Sequence, residues 1–206
     1  MGSGAERSPT VVFDLGDVLV SSSAVLPVLA VEAGVGLDRF AAAYWPGRPG
    51  YDLGLADDEY WAGVLTTLDV TPAPGLVARL RDIDSGKWSV LPPASAALVT
   101  GLAGTRLAVL SNAPAPLAAA VRAAAWTAAF DVLVFSSDLG LAKPDPAIYA
   151  AADRAYGTRP GDVVFFDDRV PNVEAARAHG WDAHVWTGPD DAFAVLAQRP
   201  RRIPRR

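Results

Sequence analysis

Cysteine is absent from the 206 residues, which excludes disulfides, thiolate zinc sites and thiol nucleophiles together. Histidine is nearly absent: only His179 and His184 occur, which leaves little room for a histidine-rich metal site. Any metal should then be held by carboxylates, and oxygen ligands suit a hard cation such as Mg²⁺. Lysine is scarce too, with two among 18 basic residues. Long apolar runs are also missing, because Asp, Arg, Gly or Pro interrupts each one before it could span a membrane. The N-terminal MGSGAERSPT is small and polar and lacks the apolar stretch of a secretory signal. These absences fit a cytoplasmic protein with no membrane partner.

What is present is ordinary globular material. Hydrophobic residues make up 51% and charged residues 20% of the chain, enough for one core with a modest insertion. The net charge of −5 is unevenly spread, because the last eight residues, RPRRIPRR, carry five arginines. Residues 1–8 and 199–206 read as disordered tails. With no aromatic residue among those arginines, nucleic acid is not the expected partner. A monomer or homodimer is expected.

TVVFDLGDVLV opens the folded part, its first residues apolar and β-branched. This reads as a buried strand entering a tight turn. The same grammar recurs in RLAVLSNAP (106–114), DVLVFSSDLG (131–140) and DVVFFDD (162–168), with a fifth short run at 183–188. Alanine-rich, helix-favouring segments at 115–125, 146–156 and 171–179 alternate with them. Strands alternating with helices predict an α/β fold: a three-layer, Rossmann-like parallel sheet. Residues 21–92 break the alternation, with helix-like patterns at 24–33, 37–45, 55–68 and 74–83 and Gly/Pro punctuation at WPGRPGYDLG and VLPPAS. The expected organisation is a core of 9–20 and 93–198 with an inserted helical cap, 21–92.

The four clearest strands all end in polar residues: Asp14 and Asp17, Ser111 and Asn112, Ser136 through Asp138, and Asp167 and Asp168. Open parallel sheets bind ligands at these carboxyl ends, so the residues should ring one crevice, within reach of Lys143. Clustered carboxylates repel and need a cation to lie close, and Mg²⁺ commonly also binds a substrate phosphate. A hydroxyl, an amide and an ammonium would take the remaining phosphate oxygens. Backbone N–H groups where SNAPAP enters a helix could add anion binding. One carboxylate would be left to attack phosphorus.

Those residues, in that order, resemble the haloacid dehalogenase superfamily from about residue 10 to 188. FDLGDVL is similar to its first motif, LSN to the second, LAKPDPAIY to the third and FFDDRVPNVEAARAHG to the fourth. The paired Asp and the Lys-Pro most resemble the subfamily IA proteins that include sugar-1-phosphatases and the N-terminal phosphatase domain of soluble epoxide hydrolase. The resemblance implies a Mg²⁺-dependent phosphatase acting on a small phosphorylated metabolite, with Asp14 becoming an aspartyl-phosphate. It implies Asp14, the carbonyl of Gly16 and Asp168 as metal ligands, with Asp167 acting through water. Ser111 and Asn112 would hold the phosphoryl group, Lys143 would neutralise the nucleophile and the phosphate, and Asn172 would order the site.

The chain departs from the first motif at one place. Gly16 stands where such phosphatases carry the Asp that protonates the leaving group, a function worth about 10²–10⁴-fold. A one-residue shift in a tight turn argues against Asp17 as its substitute. Gly16 also motivates two rivals, a 2-haloacid dehalogenase and a degenerate phosphate-binding domain. In the insertion, Tyr44, Trp45, Arg48, Tyr51 and Trp61 are candidates for recognising an organic group. Arg48, placed in a WPGRPGY loop, is preferred for substrate contact, while Trp61, Trp126 and Trp181 read as packing.

Overall fold

In the computed structural model, which describes residues 9–198, five parallel strands form one sheet. They are β1 (Thr10–Phe13), β2 (Arg106–Ser111), β3 (Val132–Phe135), β4 (Val163–Asp167) and β5 (Asp182–Val185), in the order β3-β2-β1-β4-β5. The expected tails, 1–8 and 199–206, lie outside the described residues. β1 sits at the centre, with Phe13 in register with Val109 of β2 and Phe166 of β4. Its side chains alternate between two apolar clusters: Val11 and Phe13 face one, Val12 the other. After Thr10 at its start, this strand, buried on both faces, is apolar to its end, and its first carboxylate comes just beyond, at Asp14.

Helices cover both faces, as the α/β reading requires. Between β1 and β2 come α1 (Leu26–Ala33), α2 (Leu37–Asp52), α3 (Asp57–Thr67), α4 (Pro74–Trp88) and α5 (Pro93–Gly101). After β2 follow α6 (Ala115–Ala123), α7 (Ser136–Leu139), α8 (Pro146–Tyr156), α9 (Val170–His179) and α10 (Pro189–Ala197). Leu98 of α5, Leu117 and Val121 of α6 and Ala192 of α10 pack on the face of Val11 and Phe13. Ile148 and Tyr149 of α8 and Val173 and Ala176 of α9 pack on the face of Val12. Helices α1 to α4 pack on one another, and α4 also rests on α6. Ser95 ties the return of the insertion to its start, its hydroxyl donating to the Leu19 carbonyl at 2.7 Å.

Two segments differ from expectation. VLPPAS, read only as punctuation, leads into α5, because Pro93 occupies the first helical position, where a missing N–H costs nothing. WPGRPGY is not a loop: α2 runs through Pro46 and Pro49 to Asp52. Each interior proline costs a helix about 3 kcal/mol. Against that, Phe40, Tyr44, Arg48, Tyr51 and Asp52 form a buried stripe at helical spacing, while both prolines are exposed. Burying a large apolar side chain returns about 1.5–3 kcal/mol, so this stripe offsets the two breaks. Among the described residues no helix is long and apolar enough to cross a membrane.

Candidate active site

The three middle strands, β2, β1 and β4, bring Ser111, Asp14 and Asp167 side by side. Asp14 extends the ladder by one bond, its amide donating to the Phe166 carbonyl at 2.9 Å. Its Oδ1 accepts from the Leu15 amide at 2.7 Å, which fixes the carboxylate at the first step of the turn. From the loop after α7, Lys143 enters with its side chain 1% exposed. Its Nζ lies 2.9 Å from Asp14 Oδ1 and 2.6 Å from Asp167 Oδ2, and donates to the Leu110 carbonyl at 2.9 Å. An ammonium has three donors, and all three are used.

Asn112 holds that loop in place. Its Nδ2 donates to the Lys143 carbonyl at 2.9 Å, and its Oδ1 accepts from the Lys143 amide at 2.9 Å. The side-chain amide expected to grip phosphate thus gives one of its two N–H donors to the Lys143 backbone. Asp167 is fully buried and saturated. Its Oδ1 accepts from the Arg169 amide and Asn172 Nδ2, both at 2.9 Å, and its Oδ2 from Lys143 and Asn172. Asn172 thus orients Asp167, while its own Oδ1 is buried without a partner among the described residues.

These charges set one another's protonation. Burial pushes the Asp14 carboxyl up to about 7; Lys143 opposes this, Asp167 adds to it, and the Ser111 hydroxyl opposes it. Burial works against the Lys143 ammonium, but Asp14 and Asp167 outweigh it and raise its pKa. The half-buried Asp168 is also pushed up, by burial first and then by Asp167 and Asp17. A site that burdens carboxylates in this way favours a cation. Oxygens of Asp14, Asp167 and Asp168 come within 4.8 Å of one another, and the unpaired Asn172 Oδ1 could accept from a metal-bound water. The donor set is all oxygen and fits Mg²⁺.

The site opens into a cavity of about 570 Å³. Asp14, Gly16, Ser111, Asn112, Lys143, Asp168, Asn172 and Arg48 all line it, whereas Asp167 lies beneath. Eight of the nine predicted site residues therefore share one wall surface, and the ninth supports it. The insertion contributes Trp45, Arg48, Pro49, Asp52, Leu53 and Trp88. At Gly16, an added Cβ would lie 3.7 Å from the Trp88 ring, an ordinary van der Waals contact. Asp17 adopts φ 53°, and its Oδ1 accepts from the Ser22 amide at 2.7 Å, as a turn former does.

Arg48 reaches the cavity wall but is largely buried and ion-paired. Its Nε donates to Asp52 Oδ1 at 2.8 Å, and its Nη1 lies 3.2 Å from Asp84 Oδ2. It also donates to the Tyr44 hydroxyl and lies over the Tyr44 and Tyr51 rings. Sequence reasoning missed Asp52, Asp84 and Trp88. The signal was the i, i+4 spacing of Arg48 and Asp52, which is visible only if WPGRPGY is read as helix. Tyr51, Trp61 and Trp181 are packing residues, each nearly or fully buried. Trp126 is partly buried, with Nε1 donating to the Ser89 carbonyl at 2.8 Å.

Strand order, strand-end carboxylates and the buried lysine define a hydrolase of the haloacid dehalogenase type. That family, described as haloacid dehalogenase-like hydrolase, matches residues 9–180, and the chain belongs to it. An uncharacterized protein from the fgs 3′ region of Lacticaseibacillus casei is 32% identical over 95% of this chain and 94% of its own length. A phosphatase of Mycobacterium tuberculosis is 36% identical over a shorter stretch, 40% of this chain and 39% of that protein. Among solved structures, a dehalogenase with an intermediate complex superposes with a TM-score of 0.78 at 21% identity, covering 93% of this chain and 98% of that one. A Bacteroides thetaiotaomicron enzyme of the family, in complex with magnesium and inorganic phosphate, gives 0.64 at 16% identity over 88% and 96%. At these identities the two structures speak for the fold.

Proposed function

We propose that the chain is a Mg²⁺-dependent phosphatase that hydrolyses a small phosphomonoester through an aspartyl-phosphate on Asp14. The observation that carries this reading is the acidic cluster: oxygens of Asp14, Asp167 and Asp168 come within 4.8 Å of one another at the cavity end of the central strands. Attack of a carboxylate on carbon, as in dehalogenation, gains little from further carboxylates beside it. Attack on a phosphate dianion does gain, because a cation held by such carboxylates would neutralise charge on both partners. The partial match to a phosphatase and the magnesium-phosphate complex of a family member support the same side.

Asp14, Asp168 and the Gly16 carbonyl would hold Mg²⁺, which when bound supplies charge neutralisation for the phosphoryl oxygens. The chain's own groups do the rest. Lys143 opposes the protonation that burial imposes on Asp14 and neutralises adjacent phosphate oxygens. Asp167 and Asn172 keep Lys143 and the acidic loop in register, and Ser111 with backbone amides after Asn112 hold the phosphoryl group. Asp14 Oδ attacks phosphorus, the ester oxygen leaves, and water then cleaves the acyl phosphate to regenerate Asp14. The insertion acts as the cap over this reaction and carries the substrate-selecting residues.

A dehalogenase is the second reading, favoured by Gly16 and by the dehalogenase likeness. Phosphate release from a panel of sugar phosphates, nucleotides and an aryl phosphate, with and without Mg²⁺, is expected. Halide release from 2-haloacids without metal, and no phosphate release, would reverse the assignment.

A further inference from the structure

The phosphatase reading leaves one task without a residue. Nothing at position 16 can give the departing ester oxygen a proton, and the Asp17 carboxylate is held by the Ser22 amide. The helical insertion brings a different carboxyl to the cavity. Asp52, the last residue of α2, lines it, and Asp84 of α4 stands on the other side of a single guanidinium, Arg48. All three are at least nine-tenths buried, with Arg48 and Asp52 7% and Asp84 1% exposed.

One cation cannot neutralise two buried carboxylates. Burial then favours a state in which the pair shares one proton. The surroundings decide where it sits. Asp84 accepts from the Tyr44 hydroxyl at 2.8 Å as well as from Arg48, and hydrogen bonds to a charged carboxylate hold the charge in place. Asp52 has one oxygen on Arg48 Nε, and its Oδ2 bonds to none of the described residues. The proton therefore belongs on Asp52, at the cavity wall. Burial raises the pKa of both carboxyls and Arg48 opposes it at each; at Asp52, Asp84 adds to the rise and Lys143 on the core side opposes it. The backbone there is pinned to the core, because the Ser136 hydroxyl donates to the Asp52 carbonyl while accepting from the Ala113 amide.

Resting on the phosphatase reading, we propose that Asp52 is the general acid and base of the reaction, presented by the helical insertion in place of the absent side chain at position 16. As Asp14 attacks phosphorus and the P–O bond to the leaving group breaks, the Asp52 carboxyl transfers its proton to the departing oxygen. The resulting Asp52 carboxylate then takes a proton from water as that water's oxygen attacks the phosphorus of the aspartyl-phosphate. The bond to Asp14 breaks, phosphate is released and Asp52 is again protonated.

The test is the dependence of kcat/KM on leaving-group pKa, measured with the full-length protein and Mg²⁺ on alkyl and aryl monoesters. The native protein should show a shallow dependence, because the leaving oxygen departs protonated. Asp52→Asn keeps an acceptor for Arg48 Nε. It should lower kcat/KM on alkyl phosphates by about 10²–10⁴-fold, with a much smaller loss on nitrophenyl phosphate, so that the dependence becomes steep. An equal loss on both ester types would mark Asp52 as a merely structural partner of Arg48 and overturn the proposal. A steep dependence in the native protein would overturn it without any variant, which covers a variant that does not fold. Absence of phosphate release from every ester is a different failure: it removes the phosphatase reading itself.

Discussion

Lys143→Met keeps an unbranched stem of similar length and removes only the charge and its three hydrogen bonds. In the native protein Nζ stands 2.9 Å from Asp14 and 2.6 Å from Asp167, with the lysine side chain 1% exposed. Removing one partner of a buried ion pair costs about 3–5 kcal/mol, and the loss of two partners at once places this variant at about 4–5 kcal/mol in the same range. In a domain of this size each kcal/mol moves Tm by about 2–4 °C, so a fall of about 8–20 °C is expected. The pH dependence has a definite sign. Asp14 is pushed up to about 7 in the folded protein, against about 3.9 for an ordinary aspartate. Between those values the folded chain binds a proton that the unfolded chain does not. Protonated Asp14 therefore favours folding at low pH, and that contribution is lost as pH rises through about 7. Without Lys143 the penalty at high pH grows, whereas acidification still neutralises Asp14. Thermal unfolding in chelator should show the larger deficit at pH 8 and a smaller one at pH 5. A Tm shift under about 3 °C at pH 8 corresponds to roughly 1 kcal/mol; that result, or a deficit larger at pH 5 than at pH 8, would refute the reasoning.

Asn112→Ala removes both hydrogen bonds to the Lys143 backbone and should cost about 1–3 kcal/mol in denaturant unfolding. It should also lower kcat, because the lysine loses its register; a loss confined to KM would return Asn112 to direct phosphate binding. Asp17→Asn should leave turnover within about twofold, because Asp17 serves the turn through the Ser22 amide and asparagine tolerates the same left-handed backbone. A fall approaching the general-acid range of about 10²-fold would make Asp17 the missing acid.

The core was legible because its grammar is redundant. TVVF, RLAVLS, VLVF and VVFFD are apolar apart from their terminal residues, and a doubly covered parallel sheet tolerates polarity only at strand ends. Hence Asp14, Ser111 and Asp167 could be placed together from sequence alone. The two prolines of α2 hid the rest. Local chemistry read them as a loop, while the stripe from Phe40 to Asp52, which overrides them, depends on packing that no local pattern records. With that helix misread, the Arg48–Asp52 pairing across one turn was lost, and the long-range partner Asp84 could not be inferred at all. The role of Asn112 was also hidden, since its partner, the Lys143 backbone, lies 31 residues away.

The central claim is that Asp14 is the phosphoryl acceptor, and trapping the intermediate tests it most directly. Acid quenching during turnover of a phosphomonoester with Mg²⁺, followed by peptide mass analysis, should find one phosphoryl group on the peptide containing Asp14. Asp14→Asn should carry none and release no phosphate. Phosphate release that persists in Asp14→Asn, or a phosphoryl group found elsewhere, would contradict the account.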